Sequence, residues 1–126
     1  MNTKSLNWLL LIIWMSLIFI LSSRSSFGIE MSVTDYKLVS SIAHVFLYSI
    51  LAWLSIRAFI STGVKTKKAL VYGFLLAAIY GLSDEFHQHF VPGREMGLDD
   101  WLIDCASALA VVYLYAYRHK IKIIPR

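Results

Sequence analysis

A run of about twenty mostly apolar residues is long enough to cross a bilayer as a helix, and this chain contains four such runs. The first covers residues 6–21 and stops at a serine cluster around Arg24. The second covers 38–60 and is interrupted by His44 and a few serines. The third, 69–90, is apolar as far as Gly81 and then abruptly polar, and the fourth, 98–117, carries acids only in its first two turns. The connectors, 22–37, 61–68 and 91–97, leave no room for a second domain, and there is no repeat or low-complexity tract. With 58% of its 126 residues hydrophobic and 16% charged, a soluble domain of this size would leave much apolar surface in water. The expected fold is therefore all-α, an integral membrane four-helix bundle over residues 1–126, with the lipid bilayer as its partner and no role for nucleic acid. The lone cysteine, Cys105, excludes a disulfide framework or a four-thiolate zinc site within one chain. Residues 6–21, preceded by Lys4 and followed by small residues, also fit a cleaved signal peptide. The run is longer than a usual signal core, which favours a retained helix.

The basic residues set the expected orientation. If the helices alternate, Lys4, Arg57, Lys65, Lys67, Lys68, Arg118, Lys120, Lys122 and Arg126 share one side, nine of the twelve Lys and Arg residues. Arg24, Lys37 and Arg94 fall on the other. The excess of basic charge in cytoplasmic segments then places both termini inside the cell membrane, in the cytoplasm. All eight acids, Glu30, Asp35, Asp84, Glu85, Glu95, Asp99, Asp100 and Asp104, fall in the outer half.

Ionisable side chains within a span are costly in lipid and mark a protein interior or a water-lined site. Here they are His44 on the second run, Asp84, Glu85 and His87 on the third, and Asp100 and Asp104 on the fourth. At about 1.5 Å per residue, His44, Asp84 and Asp104 each lie roughly 9 Å below the outer rim. Three helices therefore carry ionisable groups to one depth. On the third run Gly73, Ala77, Gly81, Asp84 or Glu85, and Gln88 recur at three- and four-residue steps, and small residues so spaced allow close helix approach in lipid. Asp100, Asp104, Ser107 and Ala108 share a face of the fourth run, and Ser41, His44 and Tyr48 one of the second. These three faces are expected to pack together, with the first helix as a supporting wall. Acids in a first helical turn also favour the helix dipole, so Asp99 reads first as a cap and Asp100 equally as cap or site residue. His89 at the rim and His119 in the cationic tail read as solvated. In Val91-Pro92-Gly93-Arg94, Pro and Gly take the second and third positions of a type II turn, which aims Arg94 at the mouth of the cluster.

The run Ser83-Asp84-Glu85-Phe86-His87-Gln88-His89-Phe90-Val91-Pro92-Gly93-Arg94, followed by Asp100 and Asp104, resembles the signature of the VanZ-like family. That signature is an acidic pair, His-Gln, a Pro-Gly-Arg turn and two later acids. The resemblance extends to Phe19-Ile20-Leu21-Ser22-Ser23 and to His44 and Tyr48, and so covers most of the chain. Ser41 and Leu47 stand where the family often has Lys and Glu, which weakens any role needing an ion pair around His44, and Ser107 and Val111 stand where it has Gly, which implies looser packing at the fourth helix. The resemblance implies a small bacterial envelope protein, related to one associated with resistance to the glycopeptide teicoplanin.

The candidate catalytic residues are thus Asp84, Glu85, His87, His44 and Asp104, and the candidate binding residues Gln88, Arg94, Asp100 and Tyr48. Three chemistries fit. Asp84, His87 and Asp104, with or without His44, suit a divalent metal such as zinc or manganese as cofactor. His44 or His87 with a carboxylate suits acid–base chemistry, with Arg94 holding a phosphate such as that of a lipid-linked cell-wall precursor. Binding of an envelope lipid or a partner without chemistry is the third. A hydrogen-bonded scaffold that only locks the helices is the structural alternative. A small multidrug exporter has a similar size but depends on a membrane-embedded Glu in its first helix, and the first run here carries no acid.

Overall fold

The computed structural model describes residues 2–24, 32–94 and 96–121. It contains four helices, α1 (Thr3–Ser22), α2 (Val33–Ser61), α3 (Thr66–Gln88) and α4 (Leu98–Arg118), and no strand among the described residues. They run up and down in sequence. Trp8 meets Phe59, Tyr72 meets Phe59, and Gly81 lies against Asp104, contacts that require antiparallel neighbours. Helix α2 is central and touches the other three; α1 packs mainly on α2, reaches α3 and does not touch α4.

The helices outrun their apolar stretches. α2 starts five residues before 38, because the Ser32 side chain accepts the Asp35 N–H at 3.2 Å and its hydroxyl donates to the Asp35 carboxylate at 2.6 Å. Hydropathy marks the lipid-facing part of a helix, whereas capping decides where it begins. α3 begins at Thr66, among lysines that favour helix, and ends at Gln88, two residues short of 90, where the chain tightens toward Pro92. α2 and α4 stop at the same end of the bundle with one left-handed residue each, Gly63 (φ 89°) and Lys120 (φ 51°). In both, the next N–H returns to a carbonyl of the last turn, Val64 to Phe59 at 3.2 Å and Ile121 to Ala116 at 2.9 Å.

Packing follows the small-residue stripe. Gly73, Ala77, Gly81, Asp84, Glu85 and Gln88 are all on the buried face of α3. A Cβ on Gly73 would lie 2.5 Å from Ile56 Cγ1 and 3.1 Å from the Ile56 backbone nitrogen, so α2 and α3 are closer here than a side chain permits. Three polar aromatic tips staple the helices: Trp14 Nε1 donates to Leu47 O at 2.9 Å, Tyr80 OH to Met15 O at 2.6 Å and Trp101 Nε1 to Ala78 O at 2.9 Å. The outside is apolar, with Ile12, Phe46, Ile79, Leu102 and Leu114 fully outward. A soluble protein rarely exposes so large an apolar surface; lipid is the solvent that such an exterior suits.

Helices α1, α2 and α3 are long and apolar enough to cross a membrane. Four such helices are expected from the sequence; α4, although 21 residues long, falls short on composition because of Asp99, Asp100 and Asp104 near its start. The physical reason is that the deepest of these acids faces inward. Asp104 is wholly buried in the bundle, while Leu102, Leu109, Tyr113 and Leu114 of the same helix are exposed. Averaging along the helix mixes an apolar outer face with an acidic inner one.

Candidate functional site

His44, Asp84, Glu85, Gln88 and Asp104 meet at the end of the bundle where α2 and α4 begin and α3 stops. Glu85 and Asp104 are 0% exposed, Gln88 2%, Asp84 5% and His44 6%. Buried groups of this kind must find partners, and two chains of contacts result.

The first joins His44 to Asp104, with Nδ1 and Oδ1 2.9 Å apart. A carboxylate only accepts, so the imidazole N–H donates. The Tyr48 ring lies parallel to His44, 6° between planes and 5.9 Å between centroids, one turn along α2. Gly81 makes room for the acid, since a Cβ there would stand 2.9 Å from Asp104 Oδ2 and 3.2 Å from Tyr48 Cε1. Glu85 sits beside this pair and accepts the Gly97 N–H through Oε2 at 2.8 Å, which ties α3 to the start of α4.

The second chain leads outward. Gln88 Nε2 donates to Asp84 Oδ2 at 3.0 Å. Gln88 Oε1 accepts from Arg94 Nε at 3.2 Å and from Nη2 at 2.7 Å, and Arg94 Nη1 donates to the Tyr36 hydroxyl at 3.2 Å. The expected turn delivers the arginine: Gly93 has φ 79° and the Arg94 N–H returns to Val91 O at 3.1 Å. Among the described residues no carboxylate lies within ion-pair distance of Arg94. Among the described residues it is neutral acceptors, Gln88 Oε1 and the Tyr36 hydroxyl, that orient the guanidinium.

Two hollows flank Arg94, Gln88 and Tyr36. One is a groove of about 350 Å³ between α1, α2 and α3, walled by Ile18, Leu21, Val39, Ala43 and Leu47, with His44, Tyr48 and Asp84 at its polar side. The other, about 370 Å³, is polar and lies toward the loop, lined by Lys37, Gly97, Asp99 and Asp100 among others. Arg94 thus stands where an apolar groove meets a polar mouth.

The structure departs from three expectations drawn from spacing. His87 does not join the cluster: its Nε2 lies 3.0 Å from Ser23 Oγ, and its ring lies 4.6 Å from that of Phe19 on α1. Gln88 directly follows His87, and a step of one rotates a side chain about 100° around the helix. Asp84 and His87 therefore do not ligate together, and the donors that converge with Asp104 are His44 and Glu85 instead. The Ser23 hydroxyl also donates to Phe19 O at 2.7 Å. Asp99 does not cap α4 either. Gly97 is the N-cap, with no side-chain cap bond, and Asp99 pairs with exposed Lys37 at 2.6 Å, a surface contact that solvent screens. Asp100 lies in the first turn, half-buried, with Oδ1 enclosed and without a hydrogen-bond partner among the described residues. His89 is exposed as expected, and His119 stacks on Tyr115 at 4.4 Å. Glu30, Glu95, Lys122 and Arg126 lie outside the described residues.

Two participants are not among the candidates read from the sequence. Tyr36 was legible, because Tyr36, Ser40, His44 and Tyr48 recur at four-residue steps once α2 is known to start at Val33. Gly97 was not, because its contribution is a backbone N–H.

No curated protein and no solved structure matches this chain. The family model for VanZ/LLP1 matches residues 7–121. That span runs from the second turn of α1 to the last described residue and takes in both chains of polar contacts, so the protein is a helical membrane protein of the VanZ/LLP1 family.

Proposed function

We propose that the protein binds an envelope lipid with a phosphate-bearing head, seating the chain in the groove between α1, α2 and α3 and the phosphate on Arg94. The observation that carries this reading is the junction itself, a guanidinium oriented by neutral acceptors, with no carboxylate in ion-pair distance among the described residues, where an apolar groove meets a polar mouth. Arg presents a planar fork suited to phosphate oxygens, and a groove of about 350 Å³ is within the usual size of a ligand site. A lipid-linked cell-wall precursor offers both parts. Such a ligand would connect the protein to glycopeptide response in the bacterial envelope.

In this reading α4 also crosses the cell membrane and both termini are cytoplasmic. Lys4, Lys65, Lys67, Lys68, Arg118 and Lys120 belong to the end where α1 and α3 start and α2 and α4 stop, and the polar site belongs to the opposite, outer end. A fluorescent protein fused to either terminus is expected to be active and a periplasm-dependent phosphatase at the same points inactive. The reverse pattern at the C-terminus would reject four crossings.

Titration of the detergent-purified protein with a polyprenyl monophosphate tests the site, read by native mass spectrometry or tryptophan fluorescence. Arg94→Gln is expected to weaken binding by roughly ten- to a hundredfold, the equivalent of one charge-assisted hydrogen bond of about 1.5–3 kcal/mol. Arg94→Lys is expected to weaken it as well, because an ammonium cannot hold Gln88 through two nitrogens. Equal affinity for the phosphate lipid and its neutral alcohol would sink the proposal. A catalytic reading has one observation in its favour: His44 lines the groove and its ring is held by Asp104. Turnover of a lipid phosphate ester by the wild type, lost in His44→Gln, would make the binding protein an enzyme.

A further inference from the structure

Three helices each bring one donor-bearing side chain to a single point inside the bundle. His44 from α2, Glu85 from α3 and Asp104 from α4 place one ligand atom apiece within 4.8 Å of one another. Each carboxylate is held by one oxygen only. Glu85 Oε2 accepts the Gly97 N–H and Asp104 Oδ1 faces His44 Nδ1. Glu85 Oε1 and Asp104 Oδ2 are buried and have no hydrogen-bond partner among the described residues, and the Tyr48 hydroxyl beside them is a third such atom. Leaving a buried polar atom unpaired is costly, and more so if it is charged. Two such oxygens on adjacent, wholly buried acids therefore point to something that binds there.

The charge balance says what. Two ionised carboxylates carry two negative charges, and a proton on His44 offsets one of them. A divalent cation offsets both while His44 stays neutral and serves as a ligand. We propose that His44, Glu85 and Asp104 form a binding site for one divalent cation of the class that takes mixed imidazole and carboxylate ligands, zinc or manganese. The 2.9 Å between Nδ1 and Oδ1 is close to the spacing of neighbouring ligands of one ion, about 3 Å for donors about 2.1 Å from an octahedral metal and about 3.4 Å around a tetrahedral zinc. Gly81 and Gly97 fit the same site, the first by clearing space for Asp104 and the second by holding Glu85 through its backbone. The donor set stands apart from Arg94, so the site does not depend on the lipid-binding reading.

The test uses the full-length protein purified in detergent without chelator from medium containing zinc and manganese, with metal per chain measured by plasma mass spectrometry. One ion per chain is expected. EDTA should remove it and lower the unfolding temperature, and adding back zinc or manganese should restore both. Glu85→Gln and Asp104→Asn, which keep side-chain volume, are expected to lose the ion and the thermal response, while His87→Ala and Arg94→Gln keep them. A wild-type protein that carries no ion and shows no thermal response to either added cation overturns the site, a result that needs no variant to fold. Loss of the ion in His87→Ala with retention in Asp104→Asn overturns the donor set.

Discussion

Asp104→Ala, measured in EDTA so that no metal contributes, is expected to destabilise the bundle by about 3 kcal/mol in equilibrium unfolding from mixed micelles. Polar contacts between helices in lipid average only about 0.6 kcal/mol, and two features place this one higher. Asp104 is wholly buried and His44 nearly so, and truncation leaves the His44 N–H, now 2.9 Å from its acceptor, enclosed without a partner. Breaking a buried pair costs about 3–5 kcal/mol because the remaining group keeps its desolvation cost. Relief of repulsion with neighbouring Glu85 works in the other direction and holds the figure at the lower end of that range. The signature is non-additivity. His44→Leu with Asp104→Leu should cost less than the sum of the single changes by about 1 kcal/mol or more, because no orphan remains. Singles that add to the double within about 0.5 kcal/mol would show that the pair is uncoupled.

Gly73→Ala carries the second large effect, and it tests packing alone. One methyl group is expected to cost about 1–3 kcal/mol, the usual range for overfilling a packed interior. The added carbon would stand 2.5 Å from Ile56 Cγ1, and the Ile56 nitrogen at 3.1 Å is backbone that moves only with the whole of α2. Ile56→Ala in the same chain removes the closer contact, so the double variant should be more stable than the two separate losses imply. An unchanged unfolding midpoint for Gly73→Ala would mean that α2 and α3 are looser than this spacing requires. The same helix–helix approach sets the site, since α3 holds Glu85 and Asp84 at the far end of the stripe that begins at Gly73.

Much of the architecture was legible because a membrane limits the options. Backbone groups in lipid must be satisfied internally, so four apolar runs imply four helices, and the stripe from Gly73 to Gln88 marks the face of α3 that is buried. The turn at Pro92-Gly93 was readable because its two special residues each have one conformational use. Helix starts were less so. Val33 lies five residues before the apolar run because Ser32 and Asp35 cap the helix with polar groups that hydropathy counts as loop.

That His44, Asp84, Glu85, Gln88, Arg94 and Asp104 come to one end of a helical membrane protein is readable along the chain, because period and depth follow from helix geometry alone. Which of them touch follows from the packing of the helices. His87 is adjacent to Gln88 in the chain yet turns to Ser23 and Phe19 of α1, while Glu85 turns inward to meet Gly97. Neighbouring positions on a helix point about 100° apart, and which of two faces meets which neighbour depends on how the helices are rotated against one another. That rotation is set at long range, by the close approach at Gly73 and by the tryptophan and tyrosine staples between helices; the stripe along α3 marks its buried face without naming the neighbour that each flank meets.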